Sequence, residues 1–417
     1  MAEIQPDILI LGGGIAGLWT CAVLAKAGLD VLCVETATLG ATQSIGAQGI
    51  IHGGMKYALT GQATRAAQAI AGMPPIWADC LAGRGELDLR AARVLSDHTL
   101  LWTTPGLLAG AVSRFAARAA KSVLRTEVTD VPAAERTGPF AGVKGIDVYR
   151  VGEPVLDVAS VLAVLAELCG PRLRRVPLER LTVTGGSRPM VTIKEGEGEL
   201  VIRPRIMVGL AGPGNAAIAK AVGATGVKSQ LRPLAMVMAR ARGGAELPMI
   251  FGHCLGASNL PRLTVTTGRD GDGRNVWYLG GTIAERGAGM EPAALQVEAR
   301  AELDACLPWL GLAQRKDVSL AVVRWDRAEC QTADGSRPDE PVLLPAVAGG
   351  DNAVYFGWPT KLAFAPRMAE LVGEAARSMG ISGGGRAGSA SESSNWLALQ
   401  PAQVAPLPWD DAAAVWS

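Results

Sequence analysis

The chain has 417 residues, more than one ordinary core accommodates, so two domains plus a tail are expected. Hydrophobic residues make up 49% and charged residues 19%, and the net charge is +1; this suits a globular enzyme and offers no charged field for nucleic acid or an anionic membrane surface. No uncharged apolar run reaches about 18 residues, so no membrane span is expected; the glycine-rich start lacks the basic lead of a signal peptide, and cytoplasm is the expected compartment.

Asp7–Leu11 is a short apolar run ending in glycines, as a buried parallel strand would. Ile15–Lys26 reads as a helix stopped by Gly28, and Val31–Glu35 (VLCVE) as a second buried strand, which together make a βαβ unit. Residues 36–62 are too long and polar for a connector and are expected to be a functional loop. Residues 62–125 read as mostly helical, and Val155–Leu168 as a helix with Asp157 in its first turn. Strands are expected at Leu181–Ile193, Val201–Arg203 and Arg205–Leu210. The last runs into AGPGNAAIAKAVG, a second strand–glycine–helix element that should return to the first sheet. Residues 231–330 alternate as an antiparallel sheet does, interrupted by a helix near Pro292–Leu307. A strand at Ala353–Phe356 and a helix at Phe364–Arg377 follow. Residues 381–393 read as a flexible linker. The end carries Trp396, Trp409 and Trp416 and is either disordered or docked on the body.

Seven cysteines form no CxxC, and only three histidines exist, His52, His98 and His253. Neither a disulfide framework nor a metal centre is expected. The chemistry starts instead at Gly12-x-Gly14-x-x-Gly17, between a strand and a helix. Gly12 permits the tight turn, Gly14 lets the backbone approach a pyrophosphate, and Gly17 allows close helix packing. The helix start presents N–H groups and a positive dipole end to phosphates. Glu35 ends the next strand, where a carboxylate accepts ribose hydroxyls. NAD and FAD share this pattern. Hydroxyls and amides at Thr42, Gln43 and Ser44, with glycines at 46, 49, 53 and 54 that let backbone lie against a flat ring, favour FAD.

IHGGMKYAL (51–59), TKLAFAPRMAEL (360–371) and IMVGLAGPGNAAIAKAVG (206–223) then carry a resemblance. The chain resembles the FAD-dependent oxidoreductase family of D-amino-acid oxidase and glycine oxidase, nearest its glycerol-3-phosphate dehydrogenase and L-2-hydroxyglutarate oxidase branch. The resemblance implies a Rossmann-like α/β FAD-binding domain and a second α+β domain on a mostly antiparallel sheet. The first is expected from residues 1–90, 150–230 and 338–380, the substrate or cap domain from 91–149 and 231–337, and a linker and tail from 381–417. Implied cofactor contacts are Gly12, Gly14, Ile15, Ala16 and Gly17; Glu35 and Thr36; Thr42, Gln43, Ser44, Gly49, His52 and Gly53; Gly212; and Thr360, Lys361 and Leu362. No cysteine matches a flavin-linking position, which implies noncovalent FAD.

The family's reaction passes hydride from a substrate C–H to the flavin. His52 is the expected proton acceptor, since imidazole takes an alcohol proton near neutral pH. Lys361 is expected beside the pyrimidine edge of the flavin. Arg324 or Arg327 is expected to bind an anionic substrate, unless Asp326 or Glu329 pairs with it. Lys56 and Tyr57 are further candidates for the pocket wall, and His253 for the site. The favoured reaction is oxidation of a small anionic hydroxy compound. An amino-acid or amine oxidase is the alternative, as is a flavin-binding subunit whose tail tryptophans recruit a protein partner. An RNA-modifying enzyme fits the near-neutral charge poorly. The electron acceptor is left open among oxygen, a quinone and a protein.

Overall fold

The computed structural model describes residues 2–54, 69–105, 127–185, 188–256, 261–332, 335, 338–347, 353–383, 389–411 and 414–417. The expected pocket residues Lys56 and Tyr57 lie outside them, as do residues 106–126 of the segment read as helical. The described part of that segment includes helix Met73–Leu81 and strands Val94–Ser96 and Thr99–Thr103.

Two sheets organise the chain. The first has six strands in the order Val342–Pro345, Val354–Trp358, Ile206–Gly209, Ile8–Leu11, Val31–Glu35 and Leu173–Arg175. All neighbours are parallel except the first pair. Ile8 aligns with Val31 on one side and with Ile206 on the other, so the second strand–glycine–helix element does return beside the first. These strands are continuous apolar runs because both faces are covered. On one face lie helices Ile15–Lys26, Val158–Cys169 and Ala365–Ser378. On the other lies a four-stranded sheet whose strand Ala2–Ile4 pairs with Gly198–Ile202.

The second sheet has eight strands: Val318–Arg324, Ala235–Ala241, Asn275–Gly280, Pro261–Arg269, Gly252–Leu255, Thr99–Thr103, Val148–Val151 and Val128–Asp130. It is antiparallel except where Gly252–Leu255 runs parallel to Thr99–Thr103. Helix Pro292–Cys306 buries Leu295, Ala299, Leu303 and Cys306 against it. The molecule is therefore a Rossmann-like α/β domain joined to a second domain on a mostly antiparallel sheet, as expected. No helix among the described residues is long and apolar enough to cross a membrane.

Two expectations need correction. The helix read over Val155–Leu168 begins at Val158; Val155–Leu156 is a short strand, and Asp157 is the N-cap, accepting from the Ser160 N–H at 2.9 Å. The run Leu181–Ile193 is two antiparallel strands, Leu181–Thr184 and Met190–Glu195. Of the two readings of the chain's end, disordered or docked, the described residues bear out the second. Ser389 and the Ala390 N–H bond to Asp30, Trp396 is fully buried with its Nε1 on the Pro171 carbonyl, and Val404 pairs with Leu39. Farther on, Trp409 donates to the Arg269 carbonyl and packs edge-on to Tyr278. Trp416 pairs with Ala321 under the Arg240 guanidinium. The segment thus runs from one domain to the other, and its tryptophans are spent inside this chain.

Candidate active site

Four strands of the first sheet end at the same edge, and each delivers residues that the sequence singled out. Ile8–Leu11 runs into Gly12, Val31–Glu35 ends on Glu35, Ile206–Gly209 leads to Gly212, and Val354–Trp358 to Thr360. In an open parallel sheet, ligands bind outside the carboxyl ends of strands.

At the first turn, Gly12 has φ +120°, and helix Ile15–Lys26 starts with no side-chain cap at Gly14 and no acid in its first turn. Its positive end is left to a ligand. Ser44 steadies the start, accepting from the Ile15 N–H at 3.0 Å. The Glu35 carboxylate accepts from the N–H groups of Gly13 (2.7 Å), Thr36 and Ala37 (2.8 Å each). An ionised carboxylate has about four acceptor positions, so one remains for a hydroxyl. Thr42 and Gln43 lie over Gly212: a Cβ placed there would be 3.9 Å from Thr42 Oγ1 and 3.6 Å from Gln43 Oε1.

At the far strand end, Thr360 is the one non-glycine residue with positive φ among the described residues, at +61°. Such backbone costs on the order of 1–3 kcal/mol in a β-branched residue and persists where function or packing demands it. Its Oγ1 and the Trp358 Nε1 are buried without a hydrogen-bond partner. Lys361 follows, with Nζ 5.6 Å from the centre of the Phe364 ring, and Leu362 opens the turn that leads into helix Ala365–Ser378. Orphaned polar atoms, a helix start without an acidic or N-cap side chain and a ribose-type carboxylate around one sheet edge fit a dinucleotide with a hydrogen-bonding ring.

The loop after Glu35 is held by the second domain. Gly46 packs on the Trp325 ring, and Tyr278 donates to the Gly46 carbonyl at 3.1 Å while accepting from Trp325 Nε1 at 2.7 Å. Gln48 Nε2 donates to the Tyr278 carbonyl at 2.8 Å. Farther on, the loop zips onto strand Val155–Leu156: the Leu156 N–H donates to the Gly49 carbonyl and the Ile51 N–H to that of Pro154.

This pairing sets His52 and Gly53 against Glu153. The Glu153 carboxylate is buried; one oxygen accepts from the Gly53 N–H at 2.6 Å, and the other lies 3.4 Å from His52 Nδ1. His253, on strand Gly252–Leu255, stacks its ring 5.9 Å from that of His52 and shares a 2.9 Å hydrogen bond with the Thr264 hydroxyl. The donor atoms of His52, Glu153 and His253 lie within 4.8 Å of one another. Burial alone would raise the Glu153 carboxyl, but His52, His253 and the Gly53 N–H outweigh it and hold it below its usual value. Burial, helped by His52 and opposed by Glu153, pushes His253 down to about 4.

That depression has a consequence for stability. Between pH 6.5 and about 4 the unfolded chain binds a proton at His253 that the folded chain refuses. Stability must fall as pH falls through that window, by on the order of 3 kcal/mol for this group. Thermal melts should show the acid limb, and His253→Asn should flatten it. An unchanged limb in the variant would assign the loss elsewhere.

The two arginines stand at the ends of neighbouring strands, Val318–Arg324 and Arg327–Cys330. Arg324 donates to the carbonyls of Ala288 (2.6 Å) and Met290 (2.5 Å), so its guanidinium braces a turn. Arg327 lies opposite Arg232 in a two-stranded ribbon, and its charge reaches the Tyr278 phenol. Glu329, the alternative partner for these arginines, pairs with Arg232 at 2.9 Å. Sequence reasoning missed Glu153, Thr264, Tyr278 and Trp325; none carries a local motif.

Residues 7–242 match the model of the DAO family, FAD dependent oxidoreductase. The chain is 43% identical over 371 residues, 88% of its own length and 90% of the other's, to a Pseudomonas aeruginosa protein, PA4991, named as a FAD-dependent oxidoreductase. The crystal structure of that protein superposes with a TM-score of 0.76 at 36% identity, covering 98% of this chain and 99% of that one. Fold alone is shared with glycine oxidase from Geobacillus kaustophilus (TM-score 0.61, 15% identity, 92% and 100% covered) and with FAD-bound L-α-glycerophosphate oxidase from Mycoplasma pneumoniae (0.62, 14%, 94% and 98%). The chain belongs to the DAO family of FAD-dependent oxidoreductases.

Proposed function

We propose that this enzyme oxidises a small anionic hydroxy compound, a 2-hydroxy acid or a polyol phosphate, with His52 as proton acceptor. The observation that carries the reading is the His52 imidazole set against a buried, ionised Glu153. An alcohol must lose its O–H proton as its C–H bond breaks, so it needs a base; a neutral amine does not. A carboxylate-backed imidazole is what the alcohol requires.

Gly12, Gly14, Ile15, Ala16 and Gly17 hold the pyrophosphate in this reading, with Thr42, Gln43 and Gly212 opposite; Glu35 and Thr36 hold the ribose, and Ser44 the helix start. Gly49, Gly53 and Thr360–Leu362 border the ring. Bound there, FAD supplies the ring that accepts hydride. Lys361 and the turn Leu362–Phe364 stabilise negative charge at the pyrimidine edge. His52 Nε2 takes the hydroxyl proton, and Glu153 faces the imidazolium that results. Arg327 is the cation assigned to the substrate anion; Arg324, with its donors on backbone carbonyls, shapes the wall.

Anaerobic bleaching of the flavin by a panel of 2-hydroxy acids, polyol phosphates, amino acids and amines tests this. Bleaching by a hydroxy anion is expected. Bleaching by amines alone would replace this reading with an amine or amino-acid oxidase.

A further inference from the structure

We infer that Glu153 is the positioning residue of the proton acceptor: it fixes His52 in the tautomer that carries hydrogen on Nδ1 and leaves Nε2 free to take the substrate's proton. The inference rests on the reading of His52 as base.

Three observations converge. First, the carboxylate is anchored independently of the histidine. Its Oε1 is held by the Gly53 N–H at 2.6 Å, and its backbone by the ladder that joins residues 49–51 to 154–156. Swinging away would cost the carboxylate its bond from Gly53. Second, its remaining oxygen faces His52 Nδ1, and a carboxylate only accepts. An acceptor at that edge favours the tautomer of neutral His52 that carries its hydrogen on Nδ1. Third, the ring stacked beside it, His253, has Nδ1 on the Thr264 hydroxyl and stays neutral, so it adds no positive charge to oppose the imidazolium that His52 becomes. The base is thus oriented by a third group, the logic of a nucleophile–base–carboxylate chain moved to an alcohol proton. The His52 side chain is 42% exposed while Glu153 is 1% exposed, so the imidazole is accessible and the carboxylate beside it is not.

A merely structural Glu153 would only pin Gly53. Glu153→Gln separates the two roles, because the amide oxygen still accepts from Gly53 while the amide N–H₂ meets Nδ1 as a donor. The FAD-loaded protein labelled with ¹⁵N-histidine has three imidazoles to assign, His52, His98 and His253. Expected in the unaltered protein is the Nδ1–H form of His52. Expected in Glu153→Gln is a switch to Nε2–H, with melting little changed. With a hydroxy substrate in hand, kcat should fall at least about 100-fold while KM moves no more than about threefold. Glu153→Asp, which keeps the charge but withdraws it, should recover part of the rate.

An Nε2–H His52 in the unaltered protein overturns the inference whether or not any variant folds. So does an identical tautomer in Glu153→Gln. A divalent metal bound one per flavin and lost in Glu153→Gln would also overturn it, since the same three side chains could then be ligands. The tautomer is read without substrate, so its failure is distinct from failure of the hydroxy-compound reading, which only the substrate panel decides.

Discussion

Gly17→Ala should yield a protein that leaves purification without its flavin. A Cβ at Gly17 would lie 1.9 Å from the Gly12 carbonyl oxygen and 3.1 Å from its carbon, and both are backbone atoms that cannot rotate aside. The helix would have to withdraw from the turn whose N–H groups face the pyrophosphate. Gly12 has no room to follow: at φ +120°, its own Cβ position lies 2.5 Å from the Leu210 carbonyl oxygen. A retreat of even half an ångström lengthens several charge-assisted contacts at once. FAD affinity should drop at least about 100-fold, roughly 2.7 kcal/mol. Titration of the apoprotein with FAD, followed by flavin fluorescence, measures it. Unaltered affinity would mean that the dinucleotide is held somewhere other than this turn.

His52→Asn should do the opposite, leaving flavin binding intact and slowing its reduction by substrate. The imidazole contributes nothing to the first sheet, and Asn keeps a donor near the Glu153 carboxylate, so the buried acid is not stranded. Loss of a positioned base costs about 10²- to 10⁴-fold in rate. Anaerobic stopped-flow on the flavin absorbance, with the hydroxy compound that reduces the unaltered protein, gives the ratio. A rate within a few-fold of the original would remove His52 from proton transfer, and the substrate class argued from it would go too.

How much of this was legible in the sequence follows from how local each feature is. The turn at Gly12–Gly17 and the carboxylate at Glu35 lie within one βαβ unit, and their spacing is imposed by the fold. Thr42, Gln43 and Gly212 were legible as separate candidates, but their meeting depends on two distant strands lying side by side. Glu153 was invisible because its meaning comes from Gly53, a hundred positions away, through a ladder that no periodicity announces. The contacts of Arg324 were hidden for the converse reason. Its acceptors are main-chain carbonyls of Ala288 and Met290, which every residue possesses and no sequence displays. The strand Val155–Leu156 was absorbed into the following helix because a two-residue strand has no period of its own. Tail tryptophans in a proline-rich setting signal neither disorder nor docking until their pockets, such as the one over Gly268 that receives Trp409, are known.

The central claim is that the edge formed by Gly12, Glu35, Gly212 and Thr360 holds the dinucleotide so that its ring meets the His52 bend. A crystal structure of the FAD-loaded protein tests it most directly. The account predicts the ribose on Glu35, the pyrophosphate at the Gly12–Gly14 turn, and the ring within about 4 Å of both the His52–Gly53 segment and Thr360. A ring turned away from His52, with that imidazole beyond reach of anything bound against the flavin, would contradict it.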